Sequence, residues 1–142
     1  MPEVYQDLGE GDLRRLSAAF ARRLKKNDVC LLYGEMGAGK TFFTAGVVAA
    51  LGGDMADFSS PTFNLTHIYT TSLGLFYHVD LYRLTEVIEE DDISQDMWLE
   101  PRGGLSFIEW AERLGDWKPT FGYRLFFEHA EKGRNLRIEA VG

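Results

Sequence analysis

The sequence predicts an α/β domain in which helices flank a mixed β-sheet and a β-hairpin closes the chain. An apolar run at 29–33 is followed by a glycine-rich segment and then by an Ala/Val-rich stretch to Leu51, which is the order strand, loop, helix. Two alternating segments surround a turn candidate at 71–74, and two more surround residues 131–134. We expect residues 1–142 to form a single domain, because a chain of this length can bury one sizeable core.

The first predicted element is a helix with Asp12 as its N-cap, since a short acidic side chain can accept a hydrogen bond from the first free amides. Apolar residues recur behind it at helical spacing: Leu13, Leu16, Phe20 and Leu24. The helix is expected to end near Asn27. The strand Val29–Tyr33 follows, and it contains the single cysteine, Cys30, which we interpret as a small buried apolar residue.

A glycine-rich segment links this strand to the next predicted helix, Lys40–Leu51, which Gly52 and Gly53 terminate. Its eight residues match the phosphate-loop pattern G-x-x-x-x-G-K-[ST]: Gly34, Glu35, Met36, Gly37, Ala38, Gly39, Lys40 and Thr41. Backbone amides in such a loop surround a polyphosphate at the positive end of the helix dipole. Lys40 can reach the β- and γ-phosphates, and the Thr41 hydroxyl can ligate Mg²⁺. The sequence therefore predicts a P-loop NTPase-like fold that binds a nucleotide.

Further strands are predicted in the second half of the chain. They span residues 64–70, 75–79, 105–108, 123–130 and 135–141. We expect Val29–Tyr33 to be central in the sheet and the C-terminal hairpin to lie at one edge. The acidic segment 83–99 is predicted to be helical in pieces, and a solvated face is favoured there over a specific binding role.

Acidic residues end two of these strands. A phosphate loop needs an acidic residue near Mg²⁺ and often a second one that orients the attacking water. Asp80 follows strand 75–79 and Glu109 follows strand 105–108, and ligands of α/β sheets bind at such strand ends. These patterns leave open which of the two holds the metal, and we favour Glu109.

Three further residues each allow two interpretations. Thr62 lies in a loop where nucleotide switches often carry a threonine that senses the γ-phosphate, although an ordinary Ser-Pro-Thr turn also explains it. His78 is more often structural than a ligand in such a strand. Trp110, directly after Glu109, lies near either the nucleotide or the core.

Composition restricts the classes of partner. The net charge of −7 argues against direct binding of DNA or RNA, because phosphate neutralisation needs a basic surface. The sequence contains no apolar run long enough for a membrane span and no apolar signal core near Met1. Nucleotide use and a single cysteine fit a cytoplasmic location.

Four segments together resemble one family. Residues 34–41, Ser-Pro-Thr-Phe at 60–63, His-Val-Asp-Leu-Tyr-Arg-Leu at 78–84 and Phe-Ile-Glu-Trp-Ala-Glu at 107–112 occur in the order and spacing of the TsaE (YjeE) proteins. These are small P-loop ATPases of bacterial tRNA threonylcarbamoyladenosine biosynthesis. The resemblance covers nearly the whole chain, and the Asp-x-Tyr-Arg and Glu-Trp motifs are more specific than the phosphate loop.

The resemblance implies ATP or ADP and Mg²⁺ as ligands. It implies catalytic roles for Lys40, Asp80 and Glu109, metal contacts for Thr41 and Glu109, and a switch-like loop around Thr62. It places Trp110 close to the nucleotide or a partner, groups Tyr82 and Arg83 with the Asp80 motif, and matches Arg134 to an arginine of the family's C-terminal hairpin. Family members work with TsaB and TsaD, and their ATP hydrolysis resets that complex between turnovers. tRNA is then contacted only through the complex.

One segment departs from the family pattern, and two other functions compete. Residues 88–105 lack the usual Gly-Leu/Ile-acidic-aromatic stretch and contain Ile-Ser-Gln-Asp-Met-Trp at 93–98. A small-molecule or nucleotide kinase on the same fold is the main alternative, but such kinases use a basic lid, and no Lys or Arg lies between Arg83 and Arg102. A non-catalytic nucleotide-binding scaffold is disfavoured by the intact set of Lys40, Thr41, Asp80 and Glu109.

Overall fold

A mixed seven-stranded β-sheet organises the protein. The computed structural model describes residues 2–54, 66–82 and 93–141. In chain order the elements are β1 (Glu3–Leu8), α1 (Glu10–Ala21), β2 (Val29–Tyr33), α2 (Lys40–Ala50), β3 (Thr66–Thr71), β4 (Gly74–Asp80), α3 (Ile93–Leu99), β5 (Leu105–Glu109), a 3₁₀ helix (Ala111–Leu114), β6 (Gly122–Ala130) and β7 (Gly133–Val141). The strand order is β1-β7-β6-β2-β5-β4-β3, so β2 is central, as predicted.

Strand direction brings the predicted acidic residues to the phosphate loop. Strands β4, β5, β2 and β6 run parallel, while β3 and the β7–β1 pair are antiparallel to their neighbours. The carboxyl ends of β2, β5 and β4 therefore meet at one side of the sheet. Glu109 is in register with Leu32 on one side and with Asp80 on the other.

Two apolar layers hold the sheet between helices. On one face α1 and α2 pack through aromatic contacts, with the Phe20 ring 5.6 Å from Phe43 and 4.9 Å from Tyr123. On the other face Trp98 of α3 packs with Leu31, Val79, Ile108 and the 3₁₀ helix. Strand β2 is buried on both faces, which explains its continuous apolar run. No helix in the described ranges is long and apolar enough to cross a membrane.

The prediction for α1 is wrong at both ends. Gly9 is the N-cap, and Asp12 is the third residue after it. The Asp12 carboxylate accepts a hydrogen bond from the Gly9 amide at 3.0 Å. Asp12 is therefore the N3 residue of a capping box and bonds back to the backbone of the N-cap. The helix ends at Ala21 rather than near Asn27. The predicted end is too late because buried Leu24, which lies beyond the helix, continues its apolar spacing.

The C-terminal hairpin is not at the edge of the sheet. Strand β1 pairs with β7, and β6 pairs in parallel with β2, so the hairpin lies inside the sheet. The sequence analysis missed β1, because none of its residues is fully buried and a bulge interrupts the strand between Tyr5 and Leu8. Long-range pairing with β7, rather than a local pattern, makes residues 3–8 a strand.

Most other predicted elements are confirmed. Helix α2, strands β4 and β5, the β3–β4 hairpin and the two C-terminal strands begin or end within about two residues of their predicted limits, as is usual for such boundaries. The predicted loop with Thr62 and most of the acidic segment lie in 55–65 and 83–92, outside the described residues. Of that segment, the structure shows α3.

Candidate functional site

The phosphate loop begins under close restraint from β6. Gly34 has a φ of 140°, and a Cβ on it would lie 2.4 Å from the carbonyl oxygen of Phe127. Gly39, with a φ of 104°, is the N-cap of α2, and a Cβ there would lie 3.1 Å from Leu13. Glycine is therefore required where the loop leaves β2 and where it enters the helix. The loop backbone is held against the N-terminus of α2, where helix amides favour an anion.

Lys40 is the first residue of α2, and its side chain is nearly enclosed. The residue is 4% exposed, and Nζ donates a hydrogen bond to the Gly34 carbonyl. Nζ also lies 3.8 Å from the centre of the Trp110 ring, a cation–π distance. Burial lowers the pKa of Lys40, and the charges of Glu109, Glu112 and Asp80 act against that shift. These three carboxylates favour the ammonium form that a phosphate ligand needs.

Thr41, Glu109 and His78 form a connected polar group beside the loop. Thr41 Oγ1 lies 2.8 Å from Glu109 Oε1 and 3.0 Å from Oε2, so its hydroxyl donates to the carboxylate. His78 Nε2 donates to Glu109 Oε2, and both residues are buried. A hydroxyl and a carboxylate side by side are the hard oxygen donors that Mg²⁺ prefers. The predicted metal residues Thr41 and Glu109 thus lie together and fit that ion chemically.

Asp80 lies next to Glu109 at the end of β4. Its Oδ1 accepts a hydrogen bond from the Tyr82 amide at 2.9 Å. Burial raises the pKa of Asp80, and the nearby Glu109 charge raises it further, while the Tyr82 amide, His78 and Lys40 act in the opposite direction. A carboxylate with raised basicity beside the phosphate loop suits the orientation of a water molecule.

Trp110 lies between the apolar core and the cleft, and its closeness to a nucleotide stays a prediction. It packs against the apolar layer around Trp98 and also lines the cleft above the phosphate loop. Its φ of 57° is left-handed, and its ring lies beside the Lys40 ammonium. The Tyr82 ring lies 5.0 Å from it.

Further residues hold the loop, among them Arg134, which the family resemblance matches to the C-terminal hairpin. Arg134 Nε donates to the Gly37 carbonyl at 3.0 Å, and the Gly34 amide donates to Glu112 Oε2 at 3.3 Å. His129 Nε2 is 3.2 Å from the Met36 carbonyl. Glu112 ends the motif at 107–112, so the motif was a signal for it. His129 had no sequence signal, because its contact depends on how β6 and the loop meet.

A cleft of about 680 Å³ joins these groups. The predicted site residues that line it are Met36, Gly37, Gly39, Lys40, Thr41, Asp80, Glu109 and Trp110. Of the remaining loop residues, Gly34 bonds Lys40, Glu35 accepts the Ala38 amide, and Ala38 is buried in the core. Thr62 is outside the described residues. The volume is in the usual range for a small-molecule site.

Fold and site together define an α/β protein of the P-loop type, with the loop after the central strand and acidic residues on the neighbouring strand ends. Residues 9–137 match the family described as "Threonylcarbamoyl adenosine biosynthesis protein TsaE". The chain belongs to the TsaE family.

Individual relatives agree with this membership. Over 103 residues the chain is 41% identical to a tRNA threonylcarbamoyladenosine biosynthesis protein TsaE of Rickettsia felis, which is 72% of this chain but 59% of that protein. The protein of the same name from Rickettsia bellii is 38% identical over 78% of this chain and 76% of its own length. The Bacillus subtilis protein of that name is 33% identical over 92% of this chain and 78% of its own length.

A solved structure has the same fold. The crystal structure of Bacillus subtilis YdiB superposes with a TM-score of 0.77 at 24% identity, covering 100% of this chain and 87% of the other. This likeness shows a shared α/β architecture.

Proposed function

We propose that this chain binds and hydrolyses ATP as a subunit of the machinery that makes threonylcarbamoyladenosine in tRNA. The observation that carries the proposal is the convergence of Lys40, Thr41, Asp80 and Glu109 at one cleft beside the N-terminus of α2. The names of the relatives supply the pathway, and the site supplies the chemistry.

The phosphates of ATP would be bound by the loop and Lys40. The loop leads directly into the N-terminus of α2, where backbone amides and the helix dipole favour negative charge. Lys40 Nζ now donates to the Gly34 carbonyl, and a phosphate oxygen is a stronger, charged acceptor for the same ammonium. The restraint of Gly34 by β6 keeps the loop shaped for this exchange.

The acidic pair would divide two tasks. Mg²⁺, when bound, would neutralise charge on the β- and γ-phosphates. Thr41 and Glu109 would hold it, since their oxygens are adjacent and already share a hydrogen bond. Asp80, in register with Glu109 and of raised pKa, would accept a hydrogen bond from the attacking water.

Partner proteins would make hydrolysis fast. Arg134 lines the cleft, but its Nε and Nη1 donate to the carbonyls of Gly37 and Gly133. A cation or an ordering surface from TsaB or TsaD would therefore add to the site, and cations supplied in trans accelerate hydrolysis by ~10³ or more. The net charge of −7 is consistent with a subunit that leaves tRNA contact to its partners. In this proposal the subunit is cytoplasmic and resets the TsaB–TsaD complex between turnovers.

The test is ATP hydrolysis by the wild type, Asp80→Ala and Glu109→Ala, each alone and with TsaB and TsaD. We expect slow turnover alone, acceleration by ~10³ with partners, and a large loss in both variants at an unchanged far-UV spectrum. Asp116→Ala, which removes an exposed carboxylate outside the cleft, is the matched control and should keep the wild-type rate. The proposal would be contradicted if both site variants hydrolysed ATP at the wild-type rate with the partners present. It would also be contradicted if the chain alone turned over ATP at rates typical of kinases.

A further inference from the structure

His78 lies on β4 directly behind the carboxylate of Glu109. It is two residues before Asp80, so both side chains are on the same face of the strand. His78 is 0% exposed and Glu109 is 2% exposed. A glutamate carboxylate accepts hydrogen bonds only, so the contact of His78 Nε2 with Glu109 Oε2 uses the Nε2 hydrogen.

Among the residues that the structure describes, two hydrogen-bond donors hold this carboxylate from two directions. Thr41 Oγ1 is nearer to Oε1, at 2.8 Å, and His78 Nε2 binds Oε2. A free glutamate side chain loses rotamer entropy when it is fixed in place. A side chain that is fixed before the ligand arrives has already lost that freedom, so the site is preorganised.

The apolar core does not by itself explain a histidine here. Phe76 is two residues earlier on the same face, is buried, and packs in the apolar core with its ring centre 5.0 Å from that of Phe107. An apolar side chain at 78 would fill a similar space. The property that only the histidine brings is an N–H group aimed at Glu109.

We propose that His78 is a positioning residue that fixes the Glu109 carboxylate for Mg²⁺. The proposal rests on the proposed function, because it assumes that Glu109 contacts the metal bound with the nucleotide. Hydrogen-bond partners behind a metal ligand orient it, and their loss lowers metal affinity by about 10–100-fold.

Calorimetry of ADP binding, with Mg²⁺ and with a chelator, separates metal positioning from folding. We expect Mg²⁺ to tighten ADP binding by the wild type, and we define this ratio of affinities as the magnesium gain. His78→Leu should lower the gain by about 10–100-fold and leave the affinity in chelator unchanged. His78→Gln should keep most of the gain, since its amide can place an N–H where Nε2 lies.

A shorter amide and a core variant complete the test. His78→Asn matches His78→Gln in polarity but cannot reach Glu109, so it should lose the gain, and this pair remains informative if His78→Leu does not fold. Phe76→Leu, on the same strand face, should lower the melting temperature and keep the gain. Equal gains in His78→Gln and His78→Asn, or a wild-type gain in His78→Leu, would overturn the inference alone. A wild type with no magnesium gain would overturn the proposed function and this inference together.

Discussion

At the scale of single residues, the site places the ammonium group of Lys40 in a buried position that disfavours charge. Lys40 is nearly buried, and that burial lowers its pKa against the pull of neighbouring carboxylates. Buried charge is costly unless it is well paired. Here the ammonium contacts a carbonyl and an aromatic ring, so a bound phosphate would improve its environment.

Asp28 provides a test of burial away from the cleft. It is 8% exposed, and its carboxylate accepts the Lys25 amide at 2.8 Å in the turn before β2. Burial raises its pKa above the ordinary 3.8, while the Lys25 amide and charge act against the shift. The folded state therefore binds the proton more tightly than the unfolded state, and the charged form lowers stability above the folded pKa.

We expect Asp28→Asn to raise the melting temperature at neutral pH by a few degrees, because the amide keeps an acceptor oxygen and carries no charge. The advantage should shrink as the pH falls toward 3.8, where the wild-type carboxyl becomes protonated. Thermal melts of both proteins across this range make the measurement. A difference that stays constant with pH would contradict the role of the charge.

At the scale of elements, the phosphate loop depends on the strand beside it as much as on its own sequence. The loop starts against β6 at Gly34 and is held by Arg134 from β7 at Gly37. Both strands belong to the C-terminal hairpin. The position of the hairpin inside the sheet is therefore what brings these contacts to the loop.

Substitutions at two glycines with positive φ, Gly34 and Gly52, distinguish the contact between Gly34 and β6 from backbone strain. Gly52→Ala, with φ of 80° and nothing within 4 Å of the new Cβ, should cost about 1–2 kcal/mol from strain alone. Gly34→Ala should cost about 1–3 kcal/mol more, because its Cβ would collide with the Phe127 carbonyl. Urea unfolding measures both. Equal losses of unfolding free energy in the two variants would show that β6 moves to accommodate the new Cβ at no cost.

Local patterns predicted the elements that are stabilised by their own sequence. The apolar run of β2, the glycine-bounded helix α2 and the strand ends at Asp80 and Glu109 all have clear local signals, and all were predicted. Strand β1 and the place of the hairpin were not, since only pairing with β7 and β2 defines them. The bond from His78 to Glu109 also has no local signal, because its partner comes from another strand, and the interpretation of His78 as structural rather than a ligand stays a prediction.

At the scale of the whole molecule, the cleft collects contacts from elements that are far apart in the chain. Residues of α1, α2 and β7 and the ends of β4 and β5 line it together. A ligand bound there would be lost whenever any of these elements unfolded. Nucleotide binding should therefore stabilise the complete domain.

We expect Mg-ADP at a hundredfold excess over Kd to stabilise the protein by about 2.7 kcal/mol, seen as a rise of several degrees in Tm. Lys40→Ala should lose most of this rise, because a hydrogen bond to a charged group is worth about 1.5–3 kcal/mol. Lys118→Ala, which removes an exposed lysine outside the cleft, serves as the control. Identical shifts in wild type and Lys40→Ala would rule out Lys40 as a phosphate contact.

The pairing of β2 determines how late during synthesis on the ribosome the central part of the sheet can form. Val29 pairs with Ser106 on one side and with Gly122 on the other, so both neighbours of the central strand are synthesised long after it. The phosphate loop therefore leaves the ribosome well before the strands that support it, and contacts of this range form slowly. A nascent chain that has not yet reached β6 lacks the Phe127 carbonyl against which Gly34 rests. Under the proposed function, nucleotide binding would therefore require that synthesis has passed β6.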